Sequence, residues 1–106
     1  MKKYDLIVTI VNKGYAVDVV NATKKAGAKG GTIINGRGSG IHDTVMLFGI
    51  PIEPEKEVVL TLIDQNLTDK VLTTITNDVK LNVPGHGIAF VLSVDEVIGL
   101  NPVREE

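Results

Sequence analysis

The sequence predicts an α+β fold, a ferredoxin-like βαββαβ sandwich whose antiparallel sheet carries two helices on one face. Two observations predict it. Short runs rich in Val, Ile and Leu alternate with two stretches of helical spacing, in the order strand, helix, strand, long loop, strand, helix, strand. The 106 residues suffice for one domain, 1–106, and are too few for two. The core is expected to be aliphatic, since 43 % of residues are apolar and only 4 % aromatic.

The first strand is Leu6-Ile7-Val8-Thr9-Ile10-Val11, short and β-branched. Asn12-Lys13-Gly14 turns the chain into a helix over about 15–26. There Ala16, Val19, Val20 and Thr23 recur at helical spacing, and Gly27 follows two lysines where a helix would stop. Gly30 and Gly31 precede a second strand over about 32–35. Beyond it the reading is harder. Glycines open the segment 36–57, and Val45-Met46-Leu47-Phe48 is apolar. Gly49 and Pro51 argue against a regular central strand past Phe48, and residues 53–57 are polar and punctuated. A third strand is clear over 58–63. Asp64 or Asn66 caps a second helix over about 67–79, where Leu67, Val71, Ile75 and Val79 form one stripe that Leu72 widens. Its threonines are poor helix formers, so packing must hold it. A strand begins near Ile88. Residues 94–100 read as a short extra strand or a hooked extension, and 101–106 as a loose tail.

Composition excludes several classes of function. Without cysteine there are no disulfides, thiolate nucleophiles or cysteine-based zinc sites. A formal charge of −2, with both signs spread along the chain, argues against nucleic-acid binding. No apolar run serves as a signal peptide or membrane span, so the expected location is the cytoplasm. His42, Asp43 and His86 lack the register of a metal site, and none is expected. The strands are apolar at nearly every position, so both sheet faces need cover, and a homo-oligomer would supply it.

Two glycine clusters stand at strand ends. Pro84-Gly85-His86-Gly87 precedes Ile88-Ala89-Phe90-Val91-Leu92, and Gly36-Arg37-Gly38-Ser39-Gly40 follows Thr32-Ile33-Ile34. Such turns either cradle an anion on exposed backbone N–H groups or simply reverse the chain. His86 either donates to a phosphate or is an exposed turn residue. Arg37 either binds an anion or is solvated. The apolar 45–48 run is either a partner-docking surface or packs on the body or a neighbouring subunit.

The order Gly30-Gly31-Thr32-Ile33-Ile34, Gly36-Arg37-Gly38, a long loop returning through Glu55-Lys56-Glu57-Val58-Val59, then Gly85-His86-Gly87 before Phe90-Val91 resembles the PII signal-transduction family, in its PII-like branch. The resemblance covers nearly the whole chain, down to Val94-Asp95-Glu96-Val97-Ile98. It implies a ferredoxin-like homotrimer that binds an adenine nucleotide (ATP, ADP or AMP) in clefts between subunits. It also implies a T-loop, here about 38–54, that docks on a transporter or metabolic enzyme, in nitrogen or carbon metabolism. By that resemblance the ligand-binding residues are Gly36, Arg37 and Gly38 at the T-loop base, Lys56 where the third strand begins, and Gly85, His86 and Gly87 in the phosphate-facing B-loop.

Several positions depart from the family pattern. The basic residue that usually follows the second B-loop glycine is Ile88, and the acidic residue or tyrosine between the glycines is His86. Positions that carry arginine along the last strand read Glu96, Gly99 and Asn101, leaving Arg104. The T-loop tyrosine and the glutamine that helps hold magnesium and 2-oxoglutarate have no counterpart. A charge-assisted hydrogen bond to phosphate is worth roughly 1.5–3 kcal/mol, so the usual ATP and 2-oxoglutarate sensing is weakened unless other cations stand in. The expectation is a non-enzymatic regulator. The alternative is a small hydrolase of acylphosphatase type using Arg37, for which no base and nucleophile can be read beside it.

Overall fold

The computed structural model describes residues 3–39 and 45–100. β1 (Tyr4–Asn12) is central in a four-stranded sheet. It pairs antiparallel with β5 (Glu55–Asp64) on one side and β6 (Gly87–Val94) on the other. β2 (Thr32–Arg37) pairs antiparallel with β5, giving the order β2-β5-β1-β6. The helices are α1 (Ala16–Lys25) and α2 (Thr68–Val79). The predicted ferredoxin-like arrangement is therefore present. A small ribbon, β3 (Val45–Leu47) with β4 (Ile50–Ile52), is inserted between β2 and β5. Among the described residues no helix is long and apolar enough to cross a membrane.

The pleat separates the two faces of the sheet. Ile7, Val11, Val59 and Ile63 point to the helices and meet Ala16, Val19 and Ala22 of α1 and Val71, Ile75 and Val79 of α2 in one aliphatic core. Buried Asp5, on the same face, accepts a hydrogen bond from the Thr68 hydroxyl at 2.7 Å and so fixes the start of α2. The hydroxyls of Thr9 and Thr61 are buried there without a partner among the described residues. Ile34, Ile88, Phe90 and Leu92 lie on the opposite face, where the chain leaves them exposed.

Local chemistry accounts for the helix ends. The first turn of α1 has no cap of its own. Instead the Glu57 carboxylate of β5 accepts from the Gly14 and Ala16 N–H groups at 2.7 and 3.1 Å. At its far end Ala28 N–H donates to Thr23 O at 2.9 Å and Gly27 takes φ +118°, so the chain stops where the glycine predicted. Of the two candidate caps before α2, Asp64 is the one used, for a short 3-10 turn over Gln65–Leu67. The threonines of α2 return their hydroxyls to the helix, Thr74 to Lys70 O and Thr76 to Leu72 O, both at 2.8 Å.

Two sequence expectations need correction. β2 continues to Arg37, so Gly36 and Arg37 are strand residues rather than loop residues. β5 begins at Glu55, three residues before the apolar run. Its polar start survives because each side chain has a destination: Glu55 reaches Lys13, Lys56 reaches Asn12 and Glu57 reaches α1. As expected, no central strand runs on directly past Phe48: Pro51 lies opposite Met46 in a separate two-stranded ribbon, where a missing N–H is tolerated. Met46, Leu47 and Phe48 of the apolar run are exposed on their own chain, which leaves a partner-docking surface or packing on a neighbouring subunit. Residues 95–100 form bends and no strand, which leaves the hooked extension. His42 and Asp43, and the tail 101–106, lie outside the described residues.

Candidate functional site

One end of the sheet gathers the two glycine clusters. Register places Gly36 opposite Lys56 and Lys56 opposite Asn12, so these three lie in one row across β2, β5 and β1. With strands about 4.8 Å apart, the row is roughly 10 Å wide. Lys56 is only 9 % exposed and its ammonium donates to Asn12 Oδ1 at 2.6 Å. Asn12 Nδ2 donates in turn to the Gly85 carbonyl at 3.1 Å. A single carboxamide therefore carries the row across to the 85–87 turn.

The next residues along the strands bring charge. Arg37 pairs with Glu55 in the β2–β5 ladder, and Lys13 N–H donates to Glu55 O at 3.2 Å. Lys13 Nζ meets the Glu55 carboxylate at 2.8 Å. The hydrogen bond from Lys13 is the main cause that lowers the Glu55 pKa, helped by the charge of Lys13 and, more weakly, of Arg37; the same bond raises that of Lys13. A cavity of about 310 Å³ opens here, lined by Lys13, Asn35, Gly36, Arg37, Glu55 and Lys56. Three cations face one carboxylate, so the lining carries a formal excess of two positive charges (3 − 1) and favours an anion. Just beyond, Gly38 N–H donates to Pro54 O at 3.2 Å and closes the base of the inserted segment.

The 85–87 turn is built differently. The His86 N–H donates to Val83 O at 3.2 Å, so one of the three turn amides is already engaged. The His86 ring lies toward α2, with Nδ1 3.4 Å from the Val79 carbonyl. Gly87 has φ +139°, and a Cβ there would stand 2.5 Å from the Ile10 carbonyl. The fold itself therefore requires glycine at 87. Gly36 and Gly38 contrast with it, having no atom within 4 Å of an added Cβ and no positive φ. Their own chain does not demand glycine, and the space they leave is open. A second cavity, of about 430 Å³, touches Gly87 and Ile88 and is lined by no charged residue.

The structure thus joins Gly36, Lys56 and, through Asn12, Gly85. It sets Arg37 and Gly38 beside that row and turns His86 away toward α2. Sequence reading missed Asn12, Lys13 and Glu55. The available signal was alternation: once β5 is extended to Glu55, Asn12 falls opposite Lys56.

The family model for nitrogen regulatory protein P-II matches residues 4–104. Among solved structures, a crystal structure of Arabidopsis thaliana PII bound to citrate is similar, with a TM-score of 0.72 and 26 % identity, over 92 % of this chain and 83 % of that one. No curated protein matches the chain.

Proposed function

We propose, from the premise that the chain belongs to the nitrogen regulatory protein P-II family, that this PII-type regulatory protein binds a small anionic effector at the end of its sheet. The observation that carries this reading is the row Gly36–Lys56–Asn12–Gly85 beside a cavity with excess positive charge. Gly36, Arg37, Gly38 and Lys56 form the loop side of the site, and the backbone of Gly85, His86 and Gly87 the turn side, with the His86 ring directed toward α2. An adenine nucleotide is the effector class of choice. Its charge is met by Lys13, Arg37 and Lys56 rather than at the turn, where Ile88 replaces a cation. This explains how an anion site persists with an uncharged turn.

The protein acts as a homotrimer. The uncovered apolar face bearing Ile34, Ile88, Phe90 and Leu92 supports this, because about 25 cal/mol is gained for each Å² of apolar surface removed from water. Binding orders the 38–54 loop and changes how its hairpin meets a transporter or metabolic enzyme, in nitrogen or carbon metabolism in the cytoplasm. The protein works as a regulator and not as an enzyme. Light scattering on the purified protein tests the trimer, and a monomer at micromolar concentration removes it. Titration calorimetry with ATP, ADP and AMP tests the effector. No heat from any of them at millimolar concentration discards the nucleotide reading.

A further inference from the structure

The two halves of the site are separate pieces of chain, and the Asn12 side chain bonds to both. Asn12 Oδ1 accepts from Lys56 Nζ at 2.6 Å while Asn12 Nδ2 donates to Gly85 O at 3.1 Å. A carboxamide is planar, so its oxygen and nitrogen cannot move independently. The Lys56 ammonium also polarises the amide, which makes its N–H a stronger donor to Gly85. Each bond thus supports the other. Lys56 is nearly buried, and Asn12 is one of its partners, so a displaced carboxamide forces the ammonium to reorganise. Lys56 in turn pairs with Gly36, two residues before the Gly38–Pro54 bond that closes the loop.

We propose that Asn12 is a positioning residue that couples the 85–87 turn to the base of the 38–54 loop. This rests on the reading that both segments flank the effector. A ligand that shifts the Gly85 carbonyl rotates the Asn12 amide, moves the Lys56 ammonium and so alters the loop base. Asn12 need not touch the ligand.

Hydrogen exchange read by mass spectrometry on the full chain tests the coupling. In ligand-free Asn12→Ala, exchange is expected to rise about tenfold both over 83–88 and at the loop base over 36–38 and 54–56, the effect of losing one ordinary hydrogen bond at each end. Amides of β1 near Ile7 report whether the fold is intact. Asn12→Asp separates the two ends: its carboxylate still accepts from Lys56 but has no N–H for Gly85. It should loosen 83–88 alone. A loop base in Asn12→Ala as protected as in the parent, or a turn over 83–88 in Asn12→Asp as protected as in the parent, overturns the coupling. With saturating ATP the parent should gain protection in both segments. If ATP protects neither segment in the parent, the nucleotide reading fails, while the ligand-free comparison still judges Asn12.

Discussion

The ammonium of Lys56 and the carboxamide oxygen of Asn12 are 2.6 Å apart, with Lys56 almost wholly shielded from water. Replacing Lys56 by Met keeps the aliphatic stem and removes the charge. The Asn12 oxygen then loses its charged donor, and thermal unfolding should show a loss of about 1–3 kcal/mol. If the cationic cavity receives the effector, the same variant weakens nucleotide binding at least about tenfold in calorimetry. Unchanged affinity would remove Lys56 from the site.

Gly36 and Gly87 should answer differently to the same substitution. Gly87→Ala places a methyl 2.5 Å from the Ile10 carbonyl at φ +139°, and should cost more than about 1 kcal/mol whatever the ligand does. Gly36→Ala meets nothing in its own chain, so the folded protomer should tolerate it. A fall in nucleotide affinity for Gly36→Ala, with an unchanged melting temperature, marks the open space there as ligand space.

The fold was largely legible in the sequence, and the failures have physical causes. The α2 stripe of Val71, Ile75 and Val79 repeats every fourth residue and becomes the buried face of that helix. Gly27 ends α1 because a positive φ is needed there. The polar start of β5 was not legible, because its three charged residues are satisfied by Lys13, Asn12 and the α1 terminus, none of them a neighbour in sequence. Of the candidate site, the glycine clusters and Lys56 were visible in the sequence. Asn12 was hidden, since an asparagine before Lys13-Gly14 reads as an ordinary turn residue.

Two non-glycine residues sit at positive φ, Phe48 at 51° and Lys80 at 59°. Lys80 follows the last turn of α2, a position that favours glycine. Lys80→Gly should raise stability by about 0.5–1 kcal/mol in chemical denaturation. Phe48 occupies the first place of a two-residue hairpin turn, where asparagine is preferred, and is 94 % exposed. Phe48→Asn should not lower the melting temperature, since the ring stands clear of its own chain. A drop of several degrees would show that the ring is covered in the assembled protein.

The Lys13–Glu55 pair makes stability depend on pH in a stated sense. The Glu55 pKa is lowered in the folded chain, so its contribution is present above the ordinary value of 4.5 and fades as pH falls through the folded value. The Lys13 pKa is raised, so its contribution is complete below 10.5 and fades as pH rises through the folded value. Glu55→Gln should therefore lower the melting temperature slightly at neutral pH and make no difference in acid. The pair is exposed, and added salt should shrink the neutral-pH difference.

Thr9 and Thr61 bury hydroxyls that find no partner among the described residues. Thr9→Val and Thr61→Val keep the shape and remove the orphaned group, so each should gain about 1 kcal/mol or more in denaturant unfolding. Loss of stability in either would show that its hydroxyl is satisfied in solution.

Glu57 supplies α1 with the side-chain cap its own N-terminus lacks, from 41 residues further along the chain to Ala16. During synthesis that carboxylate emerges from the ribosome well after the helix it serves. The nascent helix therefore waits, frayed at its start, until the third long strand docks. Closing so wide a loop makes helix completion a late event, set by the arrival of β5 and not by local helical preference.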